Sequence, residues 1–210
     1  MHLNIERKKP RKFQTSVYGM KIKGSENIYE PHEDSEMLAK AVKENAFGNF
    51  LDMGTGSGLQ AISAFKNKKV KSITAVDISA VALKEAKKNA KASKAKIKFK
   101  KSNLFSNIKN SFDCIAFNPP YLPTSKEEKL IGDINLAFDG GISGRKVSNK
   151  FIKQVKKHLK KKGIILMVGS SLSEYDKTIN NLKKLGFETE IIDRKNFFIE
   201  EVVIIKAWLH

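Results

Sequence analysis

Cysteine is almost missing from this 210-residue chain. Cys114 stands alone, so no disulfide can form within it, and its place inside the apolar run 112–117 marks a packed core residue rather than a nucleophile or ligand. The four histidines, His2, His32, His158 and His210, show no metal-ligand spacing, and no metal is expected. No apolar run approaches the roughly 20 residues that cross a bilayer, and the lysine-rich N-terminus lacks the apolar segment of a secretion signal. These absences point to a reducing, cytoplasmic setting without a membrane. Arginine is scarce as well. Of 40 basic residues only Arg7, Arg11, Arg145 and Arg194 are arginine, although the net charge is +18. Nucleic-acid sites draw on arginine for bidentate contacts and stacking, and clusters such as Lys84-Lys87-Lys88-Lys91 read as solvated helix faces. Nucleic acid stays possible as a partner but is not favoured by charge alone.

What is present is a short motif with chemical content. Asn118-Pro119-Pro120-Tyr121 follows the apolar run 112–117, which reads as a buried parallel strand, and the rim where such strands end is where open α/β sheets bind ligands. A planar NH2 group conjugated to a carbonyl or ring has a poorly available lone pair. Two acceptors that grip its N–H bonds can turn that lone pair toward an electrophile. The Asn118 side-chain carbonyl and the Pro119 backbone carbonyl can form such a pair, and proline has no N–H to compete. Pro120 stiffens the loop, and Tyr121 offers an aromatic face to a flat group. The plainer alternative is a rigid turn that caps a strand.

A second landmark joins the strand 49–53 to Gly54-Thr55-Gly56-Ser57-Gly58, with a helical pattern starting at Leu59. Glycines at a strand-to-helix turn let backbone approach a ligand closely. The dinucleotide fingerprint fails because Leu59 stands where its third glycine belongs, and no Gly-Lys-Ser/Thr follows to make a phosphate loop. The spacing Asp52-x-Gly54-x-Gly56-x-Gly58 is instead that of S-adenosylmethionine (SAM) binding. The strand 72–76 ends in Asp77, whose carboxylate can accept both ribose hydroxyls. The alternative is that Asp77-Ile78-Ser79 only caps the next helix, with Ser79 as the cap.

Four stretches together resemble the HemK-type, class I, SAM-dependent methyltransferases that act on the glutamine amide of release factors, and most of all their short archaeal and eukaryotic branch. They are Ile28-Tyr29-Glu30-Pro31 with Glu33-Asp34-Ser35, then 51–58, then Asn118-Pro119-Pro120-Tyr121, then Ala137-Phe138-Asp139-Gly140-Gly141. The resemblance implies SAM as cofactor, with Asp52, Gly54, Gly56 and Ser35 beside it and Asn103-Leu104 at the adenine. The family often has Asp where Asn103 stands, so the direction of that amide is open; Ser35 can equally be a helix cap. It implies a class 1 release factor as protein substrate and a small zinc-binding activator subunit on the strand 96–100. Lysines on that strand also suit a guarded free edge. Bacterial members carry an added helical domain, for which the roughly thirty residues before Tyr29 leave no room. Methylation of an exocyclic amine in DNA or RNA, lysine methylation and an inactive SAM-binding scaffold remain as alternatives.

The element pattern predicts a class I methyltransferase fold: an α/β, Rossmann-like, doubly wound seven-stranded sheet ending in an antiparallel strand pair. A basic arm with a short leading strand at 17–23 takes up residues 1–28, and the methyltransferase domain 29–210. Helices are expected at 33–44, 57–66, 79–93, 148–161 and 173–185, and strands at 49–53, 72–76, 96–100, 112–117, 163–169, 187–193 and 201–207. Gly163 and Gly186 read as helix C-caps. The segment 122–147 is expected to fold over the substrate, though Asp139-Gly140-Gly141 can be a mere turn. Phe197 and Phe198 are read as core in preference to an exposed patch.

Overall fold

The computed structural model describes residues 11–124 and 139–210. The arm through residue 10 and the stretch 125–138, with Ala137, Phe138 and most of the expected cover over the substrate, lie outside the described residues.

Parallel strands covered on both faces need apolar residues pointing both ways, and the central strand β3 (Gly48–Met53) meets that need. Phe50, Leu51, Asp52 and Met53 are all buried. Leu51 and Met53 join a core that also holds Ile115, Phe117, Phe151 and Leu182. Phe50 enters the opposite core with Leu38, Val42, Ala61 and Ala116. Cys114 lies in that second core, fully buried, where burial pushes its thiol pKa up and makes it inert.

Chain order follows the expected alternation. After α1 (Glu33–Asn45) and β3 come α2 (Leu59–Phe65), β4 (Val70–Asp77), α3 (Ala80–Ala92), β5 (Lys98–Lys101) and β6 (Phe112–Phe117). Then follow α4 (Lys146–Val155), β7 (Leu159–Ser170), α5 (Tyr175–Lys184), β8 (Glu188–Asn196) and β9 (Glu201–Trp208). The sheet has seven strands in the order β5-β4-β3-β6-β7-β9-β8, with β9 antiparallel to both neighbours. From β3 the chain winds outward through β4 and β5, then returns to start β6 on the other side. The strand order therefore reverses between β3 and β6, which opens a crevice beyond their C-terminal ends.

Several expectations needed correction. The leading strand is a hairpin, β1 (Lys12–Val17) and β2 (Met20–Ser25), turned at Tyr18-Gly19 where both φ angles are positive. It packs Val17, Met20 and Ile22 on Leu59 and Ile62 of α2. Gly163 caps no helix. Helix α4 stops at Val155, a 3-10 turn follows, and β7 already runs through residue 163. The pairing slips from Phe112–Leu159 to Cys114–Ile164, and Lys162 takes a positive φ of 62° in the bulge. Gly186, at φ 88°, does close α5 as expected. Phe198 is fully exposed at the β8–β9 turn, while Phe197 is half-buried against the second core.

One buried carboxyl group holds the β3–α2 turn together. Asp52 Oδ2 accepts from the Thr55 hydroxyl at 2.6 Å and from the Ala61 N–H at 3.0 Å. Desolvation outweighs those bonds and, with Asp77 nearby, pushes the Asp52 pKa up to about 7. The folded state thus holds this proton more tightly than the unfolded chain. The stability it contributes is complete below about pH 4 and is lost as pH rises through about 7. Asn at this position keeps a carbonyl for both donors and cannot ionise. The thermal midpoint of the ligand-free protein should fall between about pH 5 and pH 8, more steeply than that of Asp52→Asn. Equal slopes would mean that Asp52 ionises like an exposed carboxylate.

Candidate active site

The crevice is a cavity of about 600 Å3 lined from four directions: the glycine turn, the end of β4, the Asn118–Tyr121 loop, and the start of α1. Every residue expected to bind cofactor or acceptor lines it: Ser35, Asp52, Gly54, Gly56, Asp77, Asn103, Leu104 and Asn118 through Tyr121.

At one end the backbone organises a carboxylate. Gly56 lies at φ 52°, a left-handed conformation that favours glycine, and its N–H donates to Asp77 Oδ2 at 2.9 Å. The Ser79 N–H donates to Asp77 Oδ1, also at 2.9 Å. Ser79 in turn caps α3 by accepting from the Ala82 N–H at 3.1 Å, so the cap reading holds for Ser79 and Asp77 is oriented by it. A carboxylate has about four acceptor positions, and Asp77 faces the cavity with its plane fixed. Leu104, buried at φ 51°, lines the same cavity. Asn103 is exposed, its Oδ1 drawn to Lys150 Nζ at 3.4 Å.

At the other end the organiser is Asp34, which sequence reasoning assigned no role. It is 5% exposed. Its Oδ1 accepts from the Tyr29 hydroxyl at 3.0 Å and the Ser35 N–H at 2.6 Å. Its Oδ2 accepts from Asn118 Nδ2 at 2.8 Å and the Tyr121 hydroxyl at 3.3 Å. Burial and the Asp34 charge raise the pKa of both tyrosines, which stay protonated as donors. With its NH2 held by Asp34, Asn118 has only its carbonyl left to present, and that Oδ1 is buried without a partner among the described residues. Ser35 is the third residue of α1, not its cap; its Oγ lies 3.4 Å from Asn118 Nδ2.

Two more lining residues escaped the sequence reading. Gln60 on α2 donates from Nε2 to the Ser35 carbonyl at 3.0 Å, and its Oε1 is buried without a partner. Glu200, the residue just before β9, lines the cavity and accepts from the Ser170 hydroxyl. An acid in the first turn of a helix, as Asp34 is, ordinarily reads as a complement to the helix dipole. Its place in Glu33-Asp34-Ser35, between Tyr29 and the distant Asn118, was the available signal.

Such a cavity can hold a nucleoside-bearing molecule against Asp77 and present a bare carbonyl acceptor to a planar N–H group at Asn118. Comparisons with known proteins give the chain a family. The family model described as the methyltransferase small domain matches residues 29–136. A protein of Methanocaldococcus jannaschii provisionally named a protein N5-glutamine methyltransferase is 44% identical over 192 residues, covering 91% of this chain and 97% of its own. The release factor glutamine methyltransferase of Streptococcus pneumoniae is 34% identical over 162 residues; the match takes in 73% of this chain but 58% of that longer protein. Among solved structures, the E. cuniculi Mtq2–Trm112 complex, described as responsible for methylating the termination factor eRF1, aligns with TM-score 0.68 at 23% identity. It covers 88% of this chain and 99% of that one, and shares the fold. The chain belongs to the methyltransferase small-domain family, alongside relatives named as protein glutamine methyltransferases.

Proposed function

We propose that this protein methylates the side-chain N5 of a glutamine in a class 1 translation release factor, with SAM as donor. One observation carries the reading: Asn118 Oδ1 is a buried acceptor without a donor, and its NH2 is already taken by Asp34. Leaving such an acceptor unpaired costs about 1–3 kcal/mol, a cost that an incoming amide N–H removes.

The residues suit the donor. SAM supplies a methyl group activated by a sulfonium. Asp77 would accept the ribose hydroxyls, Gly54 and Gly56 would let the backbone lie close, and Leu104 would pack on the base. Asn103, whose carbonyl is shared with Lys150, would meet the edge of the base with that carbonyl or with its NH2. Asn118 and the Pro119 carbonyl hold the two N–H bonds of the acceptor amide, so that its nitrogen lone pair points along the line of transfer. Tyr121 gives its hydroxyl to Asp34 and its ring to the wall. No residue has to act as a strong base, because an N-methylated amide cation sheds its proton to water.

A partner reading accompanies this one. Among the described residues β5 pairs only with β4 and ends the sheet. Ile97 and Phe99 turn inward, and Lys98, Lys100 and Lys101 are exposed. This edge is where we place a small zinc-binding activator subunit, completing the sheet by strand addition.

Radiolabel transfer from SAM into purified release factor, set beside DNA, tRNA and ribosomal RNA, tests the substrate class. Asn118→Ala should leave SAM affinity within about threefold and lower turnover about a hundredfold or more. Asp34→Ala should lose a comparable factor, and the double variant should be no worse than the worse single, since the two act as a unit. A near-normal rate for Asn118→Ala sinks the amide grip. Asp77→Ala should weaken SAM binding about ten- to a hundredfold, with Asp77→Asn in between; an unchanged calorimetric affinity would leave Asp77 a structural brace. Co-expression with the activator should raise solubility and activity, and Lys98→Pro should abolish the gain while SAM still binds. Full activity of the isolated, monodisperse chain would overturn the partner reading.

A further inference from the structure

Gln60 poses a question that the amide grip does not answer. It is 7% exposed, lines the cavity, and holds another buried acceptor, Oε1, that has no partner among the described residues. The orientation of its amide is fixed by chemistry. The Ser35 carbonyl lies 3.0 Å from Nε2 and can only accept, so the NH2 must face it and the oxygen must face elsewhere. An amide oxygen in this state has use for one kind of ligand group, an N–H or O–H donor, and repels a carboxylate.

Its position narrows the choice of donor. Gln60 is tied to Ser35, and Ser35 lies against Asn118, so Gln60 belongs to the Asn118 end of the cavity. The nucleoside end, with Asp77 and Ser79, is organised separately. With its nucleoside against Asp77, a sulfonium donor would reach toward the Asn118 end with its amino-acid arm, which has one cationic N–H donor and one anion. We infer that Gln60 Oε1 receives the α-ammonium group of the methyl donor and so reads the amino-acid part of the cofactor. This rests on SAM as donor and goes beyond it by naming the residue that tells SAM from a bare thio-nucleoside.

The test uses binding to the whole protein, without turnover. S-adenosylhomocysteine, its analogue lacking the α-amino group, and 5′-methylthioadenosine are titrated calorimetrically into wild type, Gln60→Met and Gln60→Lys. Lysine keeps a donor for the Ser35 carbonyl but has no acceptor, so it separates the proposed contact from the structural one. Wild type should prefer S-adenosylhomocysteine over the des-amino analogue by about tenfold or more. Both variants should lose about ten- to a hundredfold for S-adenosylhomocysteine and change less than about twofold for methylthioadenosine; Gln60→Met, which brings no cation to the carboxylate, should also leave the des-amino analogue within about twofold. Equal weakening toward methylthioadenosine would make Gln60 a prop for the pocket and overturn the inference, as would no change at all. Should neither variant fold, wild type alone decides, because indifference to the amino group is incompatible with the contact. If wild type binds none of the three, the donor reading itself falls; if it binds them all equally, only this inference does.

Discussion

The buried carboxylate of Asp34 is the interaction on which the acceptor end depends. Four donors from three parts of the chain converge on it: Tyr29 before α1, the Ser35 backbone within α1, and Asn118 and Tyr121 after β6. A carboxylate that is 5% exposed is tolerable only when its lone pairs are filled, so each of these groups is held where it is by the cost of leaving Asp34 unpaired. The consequence reaches Asn118. A free amide can turn either its NH2 or its oxygen into a cavity, but one with its NH2 committed to an anion can turn only its oxygen. The acceptor's selectivity for N–H groups is thus decided one residue away from the residue that makes the contact.

The cavity is acidic in a basic protein. Asp34, Asp52, Asp77 and Glu200 all line it, while the net charge of the chain is +18. A site for a cationic donor and an acceptor nitrogen that gains positive charge during transfer benefits from carboxylates placed beforehand. Surface lysines do not compromise this, because exposed charges are screened within about 10 Å at 0.1 M salt. The two charge patterns therefore serve separate purposes, and the outer one says little about what enters the cavity. Asp52 shows what inner charge costs: its desolvation is strong enough to hold a proton near neutrality.

Much of this was legible in the sequence because it depended on local rules. The run 112–117 is bounded by polar residues on one side and Asn-Pro-Pro on the other, and β6 matched it residue for residue. Glycines at 54, 56 and 58 needed positive φ and took it. Ser79 sat one residue before a helix and capped it. The errors came where tertiary pairing overrode local signals. Gly163 follows a lysine run as a C-cap does, but the bulge against β6 claims it. Residues 12–17 carry too little apolar character to announce a strand, which forms because β2 is there to pair with it. Beyond the place of Asp34 in Glu33-Asp34-Ser35, the roles of Asp34 and Gln60 were not legible. Each depends on hydrogen bonds across gaps of 84 and 25 residues, a property of assembled packing that no spacing encodes.

The need to fill partners across assembled packing also accounts for an arginine in a chain that otherwise prefers lysine. Arg145 is 4% exposed, and among the described residues no carboxylate bonds its guanidinium. Nη1 donates to the Ser173 and Glu174 carbonyls and to the Thr178 hydroxyl at 2.8, 2.7 and 3.1 Å, and Nη2 donates to Asn149 Oδ1 at 3.3 Å. A planar fork of five N–H groups can satisfy acceptors spread over α4, α5 and the turn before it, whereas a compact ammonium with three donors cannot span them. What the fork secures is the turn at 139–145. There Gly144 comes so close to the Tyr121 carbonyl that a Cβ would meet it, and the Gly140 N–H donates to the Leu122 carbonyl at 3.1 Å. Asp139-Gly140-Gly141 is accordingly a turn, with Asp139 Oδ1 accepting from the Gly141 N–H at 2.9 Å, and at the same time a wall of the cavity. The Asn118–Tyr121 loop is thereby clamped from both sides, by Asp34 through side chains and by the Gly140–Gly144 turn through backbone. A loop fixed in this way can hold an acceptor amide at one distance from the donor, which is the main thing that methyl transfer asks of it.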